Sequence, residues 1–375
     1  MRIGVVVPRL MGGGADQCVV DLAIGMKDAG LHPTVVCLER VGYLADLLTQ
    51  RGITVIGPLK KKGNDPRAPL RLAGLLREHR VDVAHCHNWG GLVDTVVAAK
   101  LARMTPVLHT QHGLDYGFSH SPDHLRSRLR TFAKTIACKG VSRVATVSRE
   151  VAQMVTREWH VPSSRVSVVH NGVRVPATDE GVEMRACWRS ELGLGPSDVL
   201  IGTVAVFRPV KDLLTLLEAM ALVAKDAPQA RLVLMGAGPQ KEELEAAVER
   251  LGLKSIVHFP GFRRDATQLL PALDVFVLSS VSEGISLALL EAMAANVPAV
   301  ATSVGGNVEI LNDPGCGILV PPRSPRDLAD AILALVNDRS RRYEIGAGGR
   351  RRVEEAFSLR RMIGAYESLY ASLVN

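Results

Sequence analysis

The sequence has few aromatic residues and no long apolar run. Phe, Trp and Tyr make up only 4% of its 375 residues, although hydrophobic residues make up 47%. The apolar residues are therefore mainly Ala, Val and Leu, which is typical of buried parallel strands covered by helices. No apolar run reaches the length of a membrane span, and Met1–Pro8 is too short for the core of a signal peptide. We therefore expect a soluble or membrane-peripheral α/β protein.

Several chemical motifs are also missing. The six cysteines are scattered without a Cys-x-x-Cys pair, which predicts reduced thiols, and hence a cytoplasmic location, rather than disulfides or a zinc site. The chain has no Asp-x-Asp pair, no P-loop and no complete Gly-x-Gly-x-x-Gly fingerprint. It has no Gly-x-Ser-x-Gly nucleophile elbow either. We therefore expect no metal held by a carboxylate pair and no hydrolase triad.

Positive charge is concentrated in the first half of the chain. Residues 1–175 hold 24 Lys and Arg against 13 Asp and Glu, whereas the whole chain has a net charge of only +7. Leu125, Leu129, Phe132, Ala133 and Ile136 recur at helical spacing among arginines, which predicts an amphipathic helix with a basic flank. That flank either contacts an anionic membrane or acceptor, or is the solvated face of a helix packed on its domain. Nucleic acid is not expected, because no aromatic residues interleave with the charges.

Short apolar runs alternate with amphipathic stretches along the whole chain, which predicts repeated βα units and parallel sheets. The length suits two domains. We predict a first domain over residues 1–172, a linker over 173–197 with Gly and Pro at its edges, and a second domain over 198–358. The last helix, within 359–375, carries an apolar face and is expected to pack back on the first domain. That face consists of Met362, Tyr366, Leu369, Tyr370 and Leu373.

The segment from Ser282 to Ala294 is the most informative. It places Glu283 and Glu291 eight residues apart around a helix start, with Ser286 as the predicted N-cap and the helix ending near Asn296. Backbone N–H groups at such a start point at a phosphate. Glu283 would then lie in the loop and Glu291 about one and a half turns into the helix, about 8 Å along the axis. Such a separation suits hydroxyls at two ends of a nucleotide-sugar. A lone pair of this kind is more often two surface residues.

Other candidates follow the ends of predicted strands, where ligands of doubly wound sheets bind. Arg208 and Lys211 could neutralise a diphosphate, although such pairs usually form surface ion pairs. His112 could donate to a sugar hydroxyl or be purely structural. His85 and His87 could suggest a metal site with His109 or His112, but we expect alternate residues of this strand to point to opposite faces and predict no metal. The Gly12–Gly14 loop lets backbone approach a diphosphate.

Together these motifs resemble family 4 of the retaining glycosyltransferases. That resemblance implies an α/β protein with two facing Rossmann-like doubly wound parallel-sheet domains, the GT-B architecture, with an interdomain cleft. It covers almost the whole chain and rests on His112-Gly113, Asn171–Val173, Arg208 with Lys211, Gly236–Pro239, Gly261-Phe262, Glu283–Glu291, and Gly305-Gly306 with Glu309. Arg174 stands where the family usually has Asp and Asp212 where it often has Gly, which puts linker geometry and donor contacts in doubt.

The resemblance implies a nucleotide-sugar donor, a glycan or lipid-linked acceptor, and no cofactor or metal. The implied catalytic residues are Arg208, Lys211, Glu283 and His112. The implied donor-binding residues are Gly13, Gly14, Gly238, Phe262, Arg263, Gly284, Ile285, Ser286, Leu287 and Glu291. Acceptor contacts are expected at Asn88 and Trp89. The leaving phosphate oxygen would take the acceptor's proton, and a role for Glu283 as nucleophile or base stays open.

The expected function is therefore transfer of one sugar in cell-surface polysaccharide or glycolipid biosynthesis. A UDP-sugar is the first choice of donor and GDP-mannose the second. We expect a cytoplasmic protein, with peripheral contact to the inner membrane surface through its basic first domain. Two other interpretations remain: a nucleotide-sugar 2-epimerase of the same fold, and a non-catalytic sugar-nucleotide-binding protein.

Overall fold

The computed structural model describes residues 1–61, 63, 65–103, 106–114, 124–177 and 182–374, and only the backbone of residues 124–127 and 182–183. The chain divides into two compact units. The first is Met1–Asn171 together with Leu359–Asn375, and the second is Gly172–Ser358. Residues 173–197, predicted as a linker, therefore belong by their contacts to the second unit.

The first unit is built on a seven-stranded parallel sheet of order β3-β2-β1-β4-β5-β6-β7. Its strands are β1 Arg2–Arg9, β2 His32–Arg40, β3 Thr54–Ile56, β4 Val83–His87, β5 Val107–Gln111, β6 Arg143–Thr146 and β7 Val166–Val168. Its helices before the second unit are α1 Gly14–Asp28, α2 Leu44–Gln50, α3 Ala68–Glu78, α4 Trp89–Ala102, α5 His124–Lys139 and α6 Arg149–Glu158, with a 3-10 turn at Ser163–Arg165. Strands β4 and β5 are buried along their whole length, as parallel strands covered on both faces must be.

The second unit contains a six-stranded parallel sheet of order β10-β9-β8-β11-β12-β13. Its strands are β8 Val199–Val204, β9 Ala230–Met235, β10 Val257–Gly261, β11 Val275–Leu278, β12 Ala299–Thr302 and β13 Ile318–Val320. Its helices are α7 Val182–Glu191, α8 Leu213–Asp226, α9 Lys241–Arg250, α10 Ala266–Leu269, α11 Leu287–Ala294, α12 Gly306–Ile310, α13 Pro325–Val336 and α14 Arg339–Ala356, with 3-10 turns at Pro209–Lys211 and Leu270–Ala272. The predicted α/β architecture with two doubly wound parallel sheets is confirmed.

Helix α7 explains why the predicted linker is part of the second unit. Arg185 and Arg189 lie one turn apart and both reach Asp274, immediately before β11. The Nη2 of Arg185 is 2.6 Å from Oδ1 of Asp274, and the Nη1 of Arg189 is 2.8 Å from its Oδ2. A carboxylate that binds two arginines fixes the helix to the sheet, because each ion pair is also a charge-assisted hydrogen bond.

The last helix, α15 (Leu359–Val374), packs on α1 of the first unit. Met362, Tyr366 and Tyr370 are buried, and the Tyr370 hydroxyl lies 2.7 Å from Nδ1 of His85. A Cβ at Gly25 of α1 would overlap the Ile363 side chain, so glycine at this position allows the two helices to pack closely. Within the described residues, no helix has both the length and the apolar character needed to cross a membrane.

Helix α5 differs from the simple amphipathic pattern. Its basic flank is only partly solvated, since Arg128 is exposed whereas Lys134 is 1% exposed. Lys134 is buried because its ammonium lies 4.7 Å from the ring centroid of Trp159, where a cation is attracted by the aromatic face. The apolar side chains Leu129 and Phe132 are instead 59% and 64% exposed.

Candidate functional site

In the second unit, the sheet order reverses between β8 and β11, and the loops that follow these two strands meet there. The Val281 N–H donates to the Val210 carbonyl oxygen at 2.9 Å, and the Ser279 hydroxyl donates to the Lys211 carbonyl oxygen at 2.9 Å. The carboxyl ends of strands at such a reversal are the usual ligand site of doubly wound sheets. The fold therefore brings Lys211 and Glu283 together from positions far apart in the sequence.

Lys211 and Glu283 form a short ion pair at this edge. The Lys211 Nζ is 2.6 Å from Glu283 Oε1, and their side chains are 23% and 10% exposed. The Ser280 hydroxyl donates to the same carboxylate oxygen at 2.6 Å. Two donors on one oxygen fix the carboxylate's orientation, since charge-assisted hydrogen bonds are short and directional. The sequence singled out both charged residues, but it did not assign a contact to Ser280.

The backbone of Glu283 and Gly284 rests directly on a glycine pair. Gly305 and Gly306 follow β12, and a Cβ on either one would overlap a carbonyl oxygen, that of Glu283 for Gly305 and that of Gly284 for Gly306. Gly305 also has a φ of +50°, a conformation that side chains disfavour. These glycines therefore position the loop that carries Glu283.

The helix start predicted after Glu283 is present. Ser286 is the N-cap of α11, and its hydroxyl accepts a hydrogen bond from the Leu289 N–H at 3.4 Å. The helix ends at Ala294, two residues before the predicted Asn296. Ile285, Ser286 and Leu287 are only 5–7% exposed, so their N–H groups, rather than their side chains, are the groups suited to binding a phosphate. Glu291 is half-buried on this helix.

The glycine loop after β9 packs on the loop after β8. The Phe207 N–H donates to the Ala237 carbonyl oxygen at 2.9 Å, and the Gln240 N–H donates to the Phe207 carbonyl oxygen at 3.2 Å. A Cβ on Gly238 would overlap the Phe207 backbone, so glycine is needed there for close packing. Arg208, the next residue, is exposed.

Two of the implied donor-binding residues, Phe262 and Arg263, lie after β10. Phe262 is 53% exposed. Arg263 is paired, with Nε 2.9 Å from Asp265 Oδ1 and Nη2 2.9 Å from Asp265 Oδ2. This pairing holds the pKa of the Asp265 carboxyl below its usual range. The guanidinium of Arg263 is therefore committed to a neighbouring carboxylate, whereas about half of the Phe262 residue is exposed to solvent.

In the first unit, Gly13 is the N-cap of α1 and Gly14 is its first residue. The loop before them is shaped by Asp16, whose Oδ2 accepts the N–H groups of Met11 at 2.8 Å and Gly12 at 3.2 Å. Asp16 lies within the glycine motif that the sequence singled out, but only the structure shows that its carboxylate orders the loop.

The expectation that His85 and His87 point to opposite faces of their strand was wrong. Residues two apart in a strand share a face, and the two ring centroids are 4.1 Å apart. His87 Nδ1 lies 2.9 Å from His112 Nε2, and His85 Nε2 lies 2.7 Å from the Thr110 hydroxyl. Within the described part of the chain, no group of three or more His, Cys, Asp or Glu is arranged to hold a metal ion.

Burial keeps these histidines neutral. It lowers the pKa of His112 to about 4 and that of His109 to about 3. It also holds the pKa values of His85 and His87 well below their usual range, with repulsion from the neighbouring histidines acting in the same direction. When both rings are neutral, only one of the two contacting atoms, His87 Nδ1 or His112 Nε2, carries the hydrogen that joins them. The tautomer of His87 therefore decides whether His112 Nδ1 carries a proton.

These pKa shifts predict that the first unit loses stability as the pH falls below about 6.5. Unfolded histidines titrate near 6.5 and bind protons there that the folded state excludes, so the free energy of unfolding decreases by up to about 1.4 kcal/mol per pH unit for each histidine. Burial raises the pKa of Asp21 to about 6. This shift increases stability as the pH falls from 6 to the unfolded pKa of Asp21, but it comes from a single group, whereas four histidines decrease stability. Urea unfolding between about pH 7.5 and pH 5 measures this slope.

Two variants make that measurement specific. His109→Gln removes one lowered pKa and is expected to flatten the slope. His32→Gln changes an exposed histidine of the same unit and is expected to leave the slope unchanged. A free energy of unfolding that stays constant over this pH range would contradict the burial of neutral histidines.

A cavity of about 380 Å³ opens in the first unit, at the carboxyl ends of β4 and β5. It contains His112 and both predicted acceptor residues, which the sequence did not place together. Arg130 of α5, a residue of the predicted basic flank, also lines it. The lining residues are Asn88, Trp89, Gly90, Gln111, His112, Gly113, Leu114 and Arg130.

Comparisons with known protein families match most of the chain. Residues 12–175 match the family described as Glycosyltransferase Family 4, and residues 185–352 match Glycosyl transferases group 1. An uncharacterized glycosyltransferase of Methanocaldococcus jannaschii is 29% identical over 94% of this chain and 92% of its own length. The UDP-Gal:alpha-D-GlcNAc-diphosphoundecaprenol alpha-1,3-galactosyltransferase of Escherichia coli is 24% identical over 83% of this chain and 80% of its own length.

A solved structure shares the fold along the whole chain. HepE of Anabaena, crystallised with UDP and glucose, superimposes with a TM-score of 0.85 at 23% identity and covers 100% of both chains. The two family matches, the full-length relatives and the two parallel-sheet units together show that the chain belongs to the group 1, family 4 glycosyltransferases with a GT-B fold.

Proposed function

We propose that the protein is a retaining, metal-independent glycosyltransferase that moves one sugar from a nucleotide diphosphate to a glycan or lipid-linked acceptor. The product would belong to a cell-surface polysaccharide or glycolipid made on the cytoplasmic side of the membrane. The observation that carries the proposal is the Lys211–Glu283 pair, held with Ser280 in the loops that follow the neighbouring strands β8 and β11. A fixed cation and a fixed carboxylate at that edge suit a diphosphate and sugar hydroxyls respectively.

In this proposal, each charged residue has a distinct task. Lys211 and the exposed Arg208 neutralise charge that develops on the leaving diphosphate, which is electrostatic stabilisation by groups already in place. The N–H groups at the start of α11, beside Gly284, bind phosphate oxygens. Glu283 orients the donor sugar by accepting its hydroxyl hydrogens, and Glu291 accepts those of the ribose.

The hydrogen bonds of Glu283 favour orientation over nucleophilic attack. Its Oε1 accepts from both Lys211 and Ser280, and such donors stabilise the carboxylate and lower its nucleophilicity. The proton of the acceptor hydroxyl then passes to the leaving phosphate oxygen, on the face that the sugar leaves. His112, kept neutral by burial, is expected to contact the sugar without taking that proton.

The donor is proposed to be a UDP-sugar, with GDP-mannose second. The UDP and glucose bound to HepE and the UDP-Gal named for the Escherichia coli relative support UDP. Thermal-shift and calorimetric titrations of UDP, GDP, ADP and their sugars, with EDTA present, test this. We expect saturable stabilisation by UDP ligands, since a ligand that binds only the native state raises its stability.

The result also tests metal independence. Stabilisation that requires added Mg²⁺ or Mn²⁺ would contradict that part of the proposal, and no response to any nucleotide would contradict the donor class. Incubating enzyme with UDP-sugar alone separates transfer from 2-epimerisation, because an epimerase converts its substrate without an acceptor.

We also propose that the protein contacts an anionic membrane through the outer face of α5. Leu129, Phe132 and Ile136 are 59%, 64% and 47% exposed at helical spacing, and exposed Arg128 and Lys139 flank them. An apolar stripe flanked by cations suits the headgroup boundary of an anionic bilayer. This stripe replaces the set of arginines predicted from sequence, because Arg130 lines the cavity instead.

Vesicle sedimentation measures this contact. Phe132→Ser is expected to weaken binding to phosphatidylglycerol vesicles about tenfold, because a buried aromatic side chain contributes about 1.5–3 kcal/mol when fully removed from water. Leu70→Ser is the matched control, since Leu70 is 60% exposed on α3 of the same unit. Equal losses for both variants, or none for Phe132→Ser, would contradict the assignment of this face.

A further inference from the structure

The cavity at the ends of β4 and β5 has the size and wall chemistry of a small-molecule site. Its volume of about 380 Å³ lies within the range of about 300–1,000 Å³ that is usual for ligand pockets. Three elements form its walls: the start of α4, the residues that follow β5, and α5. The side chains that line it include one aromatic ring, one cation and three uncharged polar groups.

The start of α4 contributes partial positive charge to the wall of the cavity. Asn88, the N-cap of this 14-residue helix, has a φ of +56° and makes no side-chain capping hydrogen bond. Its Oδ1 instead accepts the backbone N–H of His112 at 3.3 Å. The first-turn N–H groups of α4 are thus not capped by Asn88, and a helix start carries a partial positive charge.

Arg130 adds a full charge. Its guanidinium carbon lies 5.8 Å from the ring centroid of Trp89, and this stacking holds the guanidinium at the cavity wall. The Nζ of Lys134, one turn further along α5, lies 5.7 Å from the centroid of the same ring. Burial lowers the pKa of both cations, that of Lys134 to about 8, and binding of an anion would favour their charged forms.

The cavity also contains a buried acceptor without a donor. Gln111 is 4% exposed, and its Nε2 donates to the Gly113 carbonyl oxygen at 2.6 Å. Its Oε1 has no hydrogen-bond partner among the described residues. A buried acceptor left unsatisfied destabilises the fold, and a ligand hydroxyl would satisfy it. Nδ1 of His112 is also buried without a hydrogen-bond partner among the described residues, and it donates or accepts according to its tautomer.

We propose that this cavity binds an acceptor that carries a phosphate or a carboxylate beside its hydroxyl groups, an assignment that rests on the function proposed above. The anion lies between Arg130 and the N–H groups at the start of α4, and the hydroxyls donate to Gln111 or bond to His112. Arginine suits this role because its planar fork pairs two N–H groups with two oxygens of an anion.

Calorimetric titration of the full chain with matched probes tests the proposal. Glucose 6-phosphate is compared with glucose, and galacturonate with galactose, with UDP present at saturation to occupy the other anion site. We expect the anionic member of each pair to bind about tenfold more tightly or better, as charge-assisted hydrogen bonds allow. Arg130→Gln is expected to abolish that preference.

Arg157→Gln is the matched control, since Arg157 is exposed on α6 of the same unit. It is expected to keep the preference for the anionic probe. Arg130→Lys retains the positive charge and most of the side-chain length, and is expected to keep part of the preference. This variant provides the test if Arg130→Gln folds poorly. Equal affinity for charged and neutral probes, or a preference that survives Arg130→Gln, would overturn the proposal.

A lipid headgroup and a soluble sugar acid share this chemistry. Repeating the titration with phosphatidylglycerol and phosphatidylcholine in micelles distinguishes them. The Phe132→Ser variant is used for this step, so that the proposed membrane contact of α5 does not contribute, and the preference must then depend on Arg130. Stabilisation by UDP without any anion preference would overturn only this inference. An Arg130-dependent anion preference without any response to UDP would instead overturn the proposed donor and leave the anion site in place.

Discussion

Replacing Lys211 by Ala is expected to lower kcat by a factor of about 10² to 10³, the cost usual for removing one fixed donor to developing negative charge. The ammonium of Lys211 is held 2.6 Å from Glu283, so it is already in place when the diphosphate leaves. The variant also frees Glu283 from its cation, which loosens the group that orients the sugar. Transfer of sugar from the donor identified by titration, followed under saturating conditions, measures kcat directly.

Stability separates a catalytic from a structural lysine. Because the pair is largely buried, with side chains 23% and 10% exposed, we expect Lys211→Ala to cost about 1–3 kcal/mol of unfolding free energy, more than an exposed cation would. Lys225→Ala alters an exposed lysine of α8 in the same unit and should change neither quantity. If Lys211→Ala unfolds the second unit, Lys211 is structural and its role in turnover is unproven.

A double-variant comparison tests whether Lys211 and Glu283 act together. Glu283→Gln keeps the size of the side chain but removes its charge, and alone it is expected to lower kcat by a similar factor. When both residues are changed, the loss should be smaller than the product of the single losses, because residues that act as a unit are not additive. Multiplicative losses would show that the two side chains act independently.

The sequence was sufficient for the architecture and for the charged residues of the second unit. Alternating apolar runs indicated parallel βα units, and the ends of β8 and β11 indicated where Lys211 and Glu283 would lie. The sequence could not show that the two charges pair, because that depends on the packing of two loops separated by about seventy residues of chain. The contact of Ser280 with Glu283 was missed for the same reason, since three serines lie between residues 279 and 282 and nothing in the sequence distinguishes this one.

In the first unit, sequence periodicity predicted a helix but not the burial of its charged side chains. The pattern of α5 correctly indicated a helix, but not which charges would be solvated. Lys134 is buried although lysine is rarely buried, because Trp89 and Trp159 offer aromatic faces to its ammonium and its long stem packs on apolar surface. Those rings come from the start of α4 and the end of α6, so no local pattern in α5 could identify them.

Substitution in the glycine pair beneath Glu283, Gly305 and Gly306, is also expected to have a large effect on both stability and turnover. Gly306→Ala would place a Cβ against the Gly284 carbonyl oxygen, and backbone cannot move aside as the tip of a flexible side chain can. We expect the free energy of unfolding of the second unit to fall by about 1–3 kcal/mol, the usual cost of overpacking. We also expect kcat to fall about 10²-fold, since a displacement of about 1 Å at reacting groups has that effect.

Gly195→Ala is the matched control for this substitution. Gly195 lies in the same unit, and its Cβ would meet only Asp198 Oδ2, at an ordinary contact distance of 3.4 Å. The control should stay within about 0.5 kcal/mol of the parent and keep its kcat. Calorimetric unfolding and turnover of both variants give the answer. Losses in Gly306→Ala alone would show that close packing beneath the Glu283 loop sets the position of the carboxylate, whereas parent-like behaviour would mean that the loop does not rest on this glycine pair.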